Sequence, residues 1–348
     1  MNPDDYNRND TDDADSVSSS VPDDCAGQRF DQALAKMFPD YSRSRLQGWL
    51  KDGHILLDGK QVDGKTKVWG GEQVEMAPQL LPDELAFVPQ DVPLDILYED
   101  DTLLILDKVA GLVVHPGSGN WDGTVLNGLL YRFPELKHVP RAGIVHRLDK
   151  ETSGLMVVAR TLPAQLNLVQ QLAARTVKRE YVAVAQGLVR AGGTVDAPIG
   201  RHSRDRTKMA VTAYGKPAIT HYSVLEHYRC HTLIKCRLET GRTHQIRVHM
   251  AHIGHPLAGD PVYGGQPPRG MTPELYQAAS QLGRQALHAR KLGLIHPATG
   301  KPMSWRSPIP VDLQALIDYL RADIRGETED YDDDWDDDEY DVDVVYTP

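Results

Sequence analysis

Apolar residues recur at helical spacing near the start of this chain and gather in short β-type runs further along. Phe30, Leu34 and Met37 fall at i, i+4 and i+7, the spacing of one face of a short helix. Leu46, Trp49 and Leu50 predict a second helix, capped by Ser42 or Ser44, with Arg43, Arg45 and Lys51 off its apolar stripe. Ile55-Leu56-Leu57, an Asp58-Gly59 turn and Lys60-Gln61-Val62 predict a hairpin. Residues 25–77 therefore read as a unit of two helices and a small sheet. Its basic helix face suits RNA contact, and equally suits an ordinary solvated surface. Residues 78–93 hold Pro78, Pro82, Pro89 and Pro93 and read as a linker.

Beyond Pro93 the pattern predicts strands at 103–106, 155–159, 181–185, 232–238 and 245–250, with helices at 164–174 and 312–322. Strands and helices do not alternate as in a parallel βαβ fold. Residues 94–326 are thus expected to form an α+β domain around a mixed, mainly antiparallel sheet.

Charge changes the picture. The 348 residues carry 38 Lys plus Arg against 49 Asp plus Glu, a net −11, which by itself argues against a nucleic-acid partner. The acids, however, sit at the ends. Residues 1–24 carry −7 and residues 327–348 carry −12, leaving +8 on residues 25–326. Both ends read as disordered acidic tails, too poor in apolar residues to offset the entropy of ordering. No run approaches the roughly 18 apolar residues of a membrane helix, and the opening MNPDDYNRND lacks the features of a secretory leader. Cys25, Cys230 and Cys236 are odd in number and widely spaced, which points to neither disulfides nor zinc. A cytoplasmic protein without membrane association is expected, with monomer as the default.

Two clusters carry candidate chemistry. Gly143-Ile-Val-His-Arg-Leu-Asp-Lys-Glu-Thr-Ser-Gly154 places His146, Arg147, Asp149 and Lys150 beside an apolar strand. Cations around a carboxylate favour its charged form, which suits a nucleophile better than a proton donor. A loop salt bridge with a helix cap explains the same residues. In the second cluster, Glu239 to Met250, a strand over 244–250 would turn Gln245, Arg247 and His249 to one face. An Arg there, next to a buried Asp, would fix that Asp as an oriented carboxylate. His244, His249, His252 and His255 lack an HExxH or a Cys pair, so no metal is expected. Gly117-Ser118-Gly119 lacks the Gly-Lys-Ser/Thr of a phosphate loop, and no Gly-x-Ser-x-Gly elbow occurs. Tyr181 reads either as a core aromatic or as a platform for a base.

The segment 143–154 resembles the HRLDK-x-TSG signature of the RluA-type pseudouridine synthases. Residues 112–119 (LVVHPGSG), 240–249 (TGRTHQIRVH) and 255–264 (HPLAGDPVYG) resemble further motifs of that family in the expected order, and residues 27–77 resemble an S4 RNA-binding domain. The resemblance spans about 24–325, excluding both tails. It implies isomerisation of uridine to pseudouridine in RNA, without metal or organic cofactor. Asp149 matches the catalytic Asp, Tyr181 the residue that stacks on the target base, and Arg247 the basic partner of the Asp. Arg147 matches the residue that displaces the nucleotide from its stack, with Arg242 and His146 as further substrate contacts and Arg43, Arg45 and Lys51 as RNA contacts of the S4 unit. The implied partner is 23S rRNA in the large ribosomal subunit or its precursor, at the helix 69 stem-loop. A non-catalytic RNA-binding or ribosome-assembly factor is the alternative from another class.

Overall fold

The computed structural model describes residues 17–78, 87–117 and 119–325. They belong to two compact units, taken separately below. The acidic segments 1–16 and 326–348 lie outside the described residues.

In the first unit, β1 (Val17–Ser20), α1 (Phe30–Met37), α2 (Arg43–Lys51), β2 (Ile55–Leu57) and β3 (Gln73–Met76) follow in order. The strands form an antiparallel sheet, β1-β3-β2. Phe30, Leu34, Leu46, Leu50, Ile55, Val74 and Met76 pack into one core. Ser42 caps α2, its Oγ accepting the Arg45 N–H at 3.3 Å. Strand β1 lies inside the segment read as an acidic tail; backbone pairing of Val17 to Met76 through Ser20 to Gln73 holds it, and composition carries no trace of that. The Asp58-Gly59 turn exists, with φ of 49° and 70° and a single bridge from Leu57 to Lys60. The partner strand of β2 is nevertheless β3, and Asp58 Oδ1 accepts the Gln73 N–H at 2.8 Å.

The second unit is the expected α+β domain. Its strands are β4 (Ile96–Glu99), β5 (Leu103–Lys108), β6 (Ser153–Ala159), β7 (Lys178–Gln186), β8 (Gly193–Asp196), β9 (Ile199–Arg201), β10 (Met209–Val211), β11 (Ile219–His227), β12 (His231–Leu238), β13 (Leu287–Ile295) and β14 (Pro302–Arg306). Its helices are α3 (Val125–Arg132), α4 (Leu162–Ala173), α5 (Gln245–His252), α6 (Pro273–Gln281) and α7 (Val311–Arg325). A nine-stranded sheet runs β4-β5-β6-β13-β7-β12-β11-β8, with β14 beside β13, and β9 and β10 form a separate pair. Among the described residues, only the β6–β13 pairing is parallel. Alternation along β5 and β6 explains the layers. Leu104, Leu106, Met156 and Val158 face α3, while Leu103, Ile105, Leu155 and Val157 face α4. Of the proline-rich stretch read as a linker, residues 88–92 belong to this unit: Asn127 Nδ2 donates to the Val88 carbonyl at 2.8 Å, and the Gln90 N–H to the Asn127 carbonyl at 3.1 Å.

The strand expected at 244–250 is the helix α5. Period-two alternation in Gln-Ile-Arg-Val-His-Met implies one wet face, yet all six side chains are buried. Gln245 and His249, one helical turn apart, both hydrogen-bond Thr220 Oγ1, at 3.0 and 2.9 Å. Ile246 and Met250 pack with Tyr181, Ala183 and Ile234. The polar residues thus spend their groups inside the protein, and alternation stops reporting exposure.

Gly154, φ 110°, marks the closest approach in the sheet: a Cβ would stand 2.3 Å from the Ala289 carbonyl oxygen and 2.6 Å from its nitrogen. Gly154→Ala must push β6 from β13, at a cost of about 2 kcal/mol or more for strain and overpacking. A urea titration should show the earlier midpoint, with Gly117→Ala, in open space, as the near-neutral control.

Candidate active site

Asp149 sits in the turn that leads into β6, where the Thr152 N–H closes onto its carbonyl at 3.0 Å. Two features set this turn. Gly143, φ 78°, passes so close to β6 that a Cβ would overlap the Ala159 carbonyl oxygen, at 1.8 Å. Behind the turn, the buried Lys108 donates to the carbonyls of Val109, Leu112 and Lys150 at 2.8, 2.9 and 2.9 Å. Burial pulls its amine down to about 7. Three carbonyl acceptors nonetheless use all three protons of the ammonium form, so Lys108 fixes the turn from within.

Opposite, α5 begins at His244, which enters it with φ 56°. Helical spacing then brings His244 and Arg247, three residues apart, to the same carboxylate. Arg247 Nη1 donates to Asp149 Oδ2 at 3.1 Å, and His244 Nε2 stands 3.9 Å from Asp149 Oδ1. The other edge of Arg247 is held by Asp260, with Nε to Oδ2 at 2.7 Å and Nη2 to Oδ1 at 2.9 Å. Asp260 Oδ1 also accepts the backbone N–H groups of Val262 and Tyr263 at 2.9 and 3.0 Å, and the Tyr263 ring lies 5.1 Å from the Arg247 guanidinium. Burial works against charge on both partners. For Arg247, the bonds to Asp260 and Asp149 outweigh it, and the guanidinium is held above its usual range. For Asp260, the bond to Arg247 outweighs it, and the carboxyl is held below 3.8. Tyr263 Oη accepts the Met209 N–H at 2.9 Å, which leaves its proton for His244 Nδ1, also at 2.9 Å. Nε2–H of His244 then faces Asp149, and burial keeps that ring below its usual 6.5.

Asp149, His244 and Arg247 line a cavity of about 650 Å³, together with Tyr181, Arg147, Arg242 and His146. Tyr181 is 6% exposed and packs with Leu148, Ile246 and Leu287. Burial raises its hydroxyl above 10, and that hydroxyl makes no hydrogen bond among the described residues. Arg147 is exposed and Arg242 half-buried, the latter donating from Nε to the Pro217 carbonyl at 3.0 Å. His146 accepts the Val157 N–H on Nε2 at 3.1 Å. Burial and the nearby Arg179 depress it to about 3, so it serves β6 as a neutral ring. Six arginines and two carboxylates, Asp149 and Glu239, line the cavity, which suits a polyanion. In the first unit, Arg43 and Lys51 are exposed on α2, whereas Arg45 stacks on Tyr41 and Trp49 at 5.3 and 4.8 Å. The four histidines read against a metal do not converge: His249 is spent on Thr220 and the Ala197 carbonyl, and His255 bonds the Gln186 carbonyl.

Sequence patterns assign no role to Asp260, Tyr263, Lys108 or His244. Asp260 and Tyr263 stand in the 255–264 segment. The Asp260-Pro261 pair was the available signal, for a turn in which the carboxylate accepts the following backbone N–H groups, but it does not name Arg247, 13 residues earlier, as the partner. Asp260→Asn leaves a buried guanidinium with half its counter-charge, an expected loss of about 3–5 kcal/mol. Because Asp260 is held below 3.8, its stabilisation is complete above that pH and is lost as pH falls through the depressed value. Urea titrations across pH should therefore show an acid limb in the wild type that flattens in the variant.

A family model for RNA pseudouridylate synthase matches residues 102–252, and an S4 domain model matches residues 28–74. The chain is 56% identical over 319 residues to ribosomal large subunit pseudouridine synthase D of Escherichia coli K12, covering 91% of this chain and 98% of that protein. It is 53% identical over 346 residues to the Neisseria meningitidis serogroup A protein of the same name, covering 95% and 92%. Among solved structures, human RNA pseudouridylate synthase domain containing 4 superposes with a TM-score of 0.52 at 26% identity, over 65% of this chain and 93% of that one. With near-complete coverage by such relatives, and the Asp149 turn and α5 both inside the matched region, the chain belongs to the RNA pseudouridylate synthase family and carries an S4 domain ahead of the synthase domain.

Proposed function

We propose that this chain isomerises specific uridines of 23S large-subunit ribosomal RNA to pseudouridine, in the helix 69 stem-loop, with Asp149 as the group that attacks. The observation that carries this reading is the Asp149 carboxylate held 3.1 Å from Arg247 inside a cavity crowded with cations. Relatives named for the large subunit and the S4 match support the choice of RNA. The enzyme acts in the cytoplasm, where ribosomes are assembled.

The target base must first leave its stack, which costs a few kcal/mol, less in a loop than in a duplex. Arg147, exposed beside the cavity, takes the vacated place. The flipped base rests on Tyr181, whose apolar surroundings exclude water from a base that must detach, turn and rejoin through C5. Asp149 enters at the ribose or the base. Arg247 orients it, while Asp260 keeps Arg247 from swinging to the RNA phosphates. Arg242 and the other cavity cations receive the backbone, and Arg43, Arg45 and Lys51 on α2 contact structured RNA.

Asp149→Asn should leave rRNA affinity within about threefold while lowering turnover by at least about a thousandfold, as expected when a group acting only in the chemical step is removed. Tritium release from C5-labelled uridine in a helix 69 transcript measures the rate. Wild-type binding without release would instead mark a non-catalytic assembly factor. For the S4 unit, Arg43→Gln combined with Lys51→Gln should flatten the slope of log affinity against log salt by about 1.5, two phosphate contacts' worth, without changing the single-turnover rate at saturating enzyme.

A further inference from the structure

Arg179 is a cation in the cavity that no role above absorbs. It lies on β7 two residues before Tyr181, so both side chains leave the strand on the same face. The side chain is 7% exposed and lines the cavity together with Asp149. Its single hydrogen bond is a long one, from Nη2 to the Glu239 carbonyl at 3.3 Å. Nε is enclosed and bonds nothing. Nη1 has no partner either, and no carboxylate pairs with this guanidinium, among the described residues. Nη1 instead crosses over Gly241, where a Cβ would stand only 2.8 Å away; a residue larger than glycine at 241 would displace it. The contrast with Arg247 is sharp, since that guanidinium makes three hydrogen bonds of 2.7, 2.9 and 3.1 Å to two carboxylates.

A buried, hydrogen-bond-poor cation without a counter-ion is costly, and it is kept where an anion arrives during function. The reaction proposed above produces one. The C1′–N1 bond breaks and its electron pair leaves with the base, as a uracil monoanion delocalised over N1, O2 and O4. Asp149 balances the sugar, either by bonding C1′ or by taking the C2′ proton. If Asp149 instead adds to C6 first, the charge still falls on the base, at C5 and O4. After the base turns, C5 bonds C1′, the bond or proton held by Asp149 is returned, and the C5 proton is replaced by one on N1, so the product is a neutral isomer.

We propose that Arg179 is a catalytic residue that stabilises this negative charge on the uracil, donating from Nη1 to a base carbonyl stacked over Tyr181. The assignment rests on the pseudouridine synthase reading and adds to it the group that makes uracil a competent leaving group. A phosphate would be the alternative anion, but a flipped nucleotide carries its phosphates at the mouth of a cavity. Arg179 lies deep beside the base platform, and the exposed Arg147 and half-buried Arg242 are nearer to solvent. Fixed donors aimed at developing charge in a dry site are worth about 10²–10³ in rate each.

The test compares single-turnover loss of the N1-linked nucleoside from two helix 69 transcripts, one with uridine and one with 5-fluorouridine. Fluorine at C5 withdraws electrons and stabilises the same anion without any protein group. Arg179→Gln should lower the uridine rate about 100-fold or more, the 5-fluorouridine rate at least tenfold less severely, and RNA affinity by less than threefold. Arg179→Lys, which keeps charge but not the planar fork, should fall between. Equal losses on both transcripts, or a rate loss matched by an equal affinity loss, would overturn the proposal in favour of a packing or phosphate role. Should Arg179→Gln fail to fold by circular dichroism, the same comparison with Arg179→Lys decides between these outcomes. Failure of the wild type to convert uridine would remove the underlying reading; conversion by the wild type with equal losses removes only the role of Arg179.

Discussion

A buried guanidinium shared between two carboxylates is the interaction on which the synthase domain depends. Arg247 spends Nε and Nη2 on Asp260 and Nη1 on Asp149, so one side chain ties α5, the 255–264 loop and the turn before β6 into a rigid triangle. Each bond has a separate consequence. Asp260 has no exposed side-chain surface, and its charge is affordable only because Arg247 and two backbone N–H groups satisfy it. With that edge occupied, Arg247 turns Nη1 to Asp149 in a single orientation. The partly exposed carboxylate is the one left facing the cavity.

The rest of the domain delivers these parts to one place. Asp149 reaches the cavity because β6 sits between β5 and β13 with no room for side chains at Gly143 and Gly154, and because Lys108 holds the turn by its carbonyls. Tyr181 and Arg179 arrive on alternate residues of β7, and α5 packs over that same face through Ile246 and Met250. The result is a cavity with an apolar floor and a cationic wall. A cationic wall attracts phosphates, and an apolar floor suits a single unstacked base. Electrostatic attraction and dryness, which usually oppose each other, are here separated onto different surfaces.

Much of this was legible in the chain before folding. The +8 body beneath a net −11 pointed to a polyanion once the acidic ends were set aside, and the 143–154 and 239–250 clusters supplied Asp149 and Arg247. The helix α5 was not legible, because alternation reports exposure only when polar residues seek water; Gln245, Arg247 and His249 seek buried partners instead. Strand β1 was hidden because backbone pairing stabilises a Ser-rich strand that no side-chain pattern announces. Lys108 and Asp260 were hidden for a third reason. Their meaning lies in contacts with residues far along the chain, such as Lys150 and Arg247, and single-residue chemistry is silent until the fold supplies the partner.

Arg247 works as a two-sided clamp rather than as a mere positive charge. Arg247→Lys tests it most directly, by single-turnover pseudouridine formation measured alongside RNA affinity and thermal stability. A lysine keeps the charge but cannot span Asp260 and Asp149 with a planar fork. The clamp predicts a rate lowered by about 10² or more, as for misplacement of a reacting group by roughly an ångström, with RNA affinity preserved. A folded lysine variant that forms pseudouridine at the wild-type rate would contradict it.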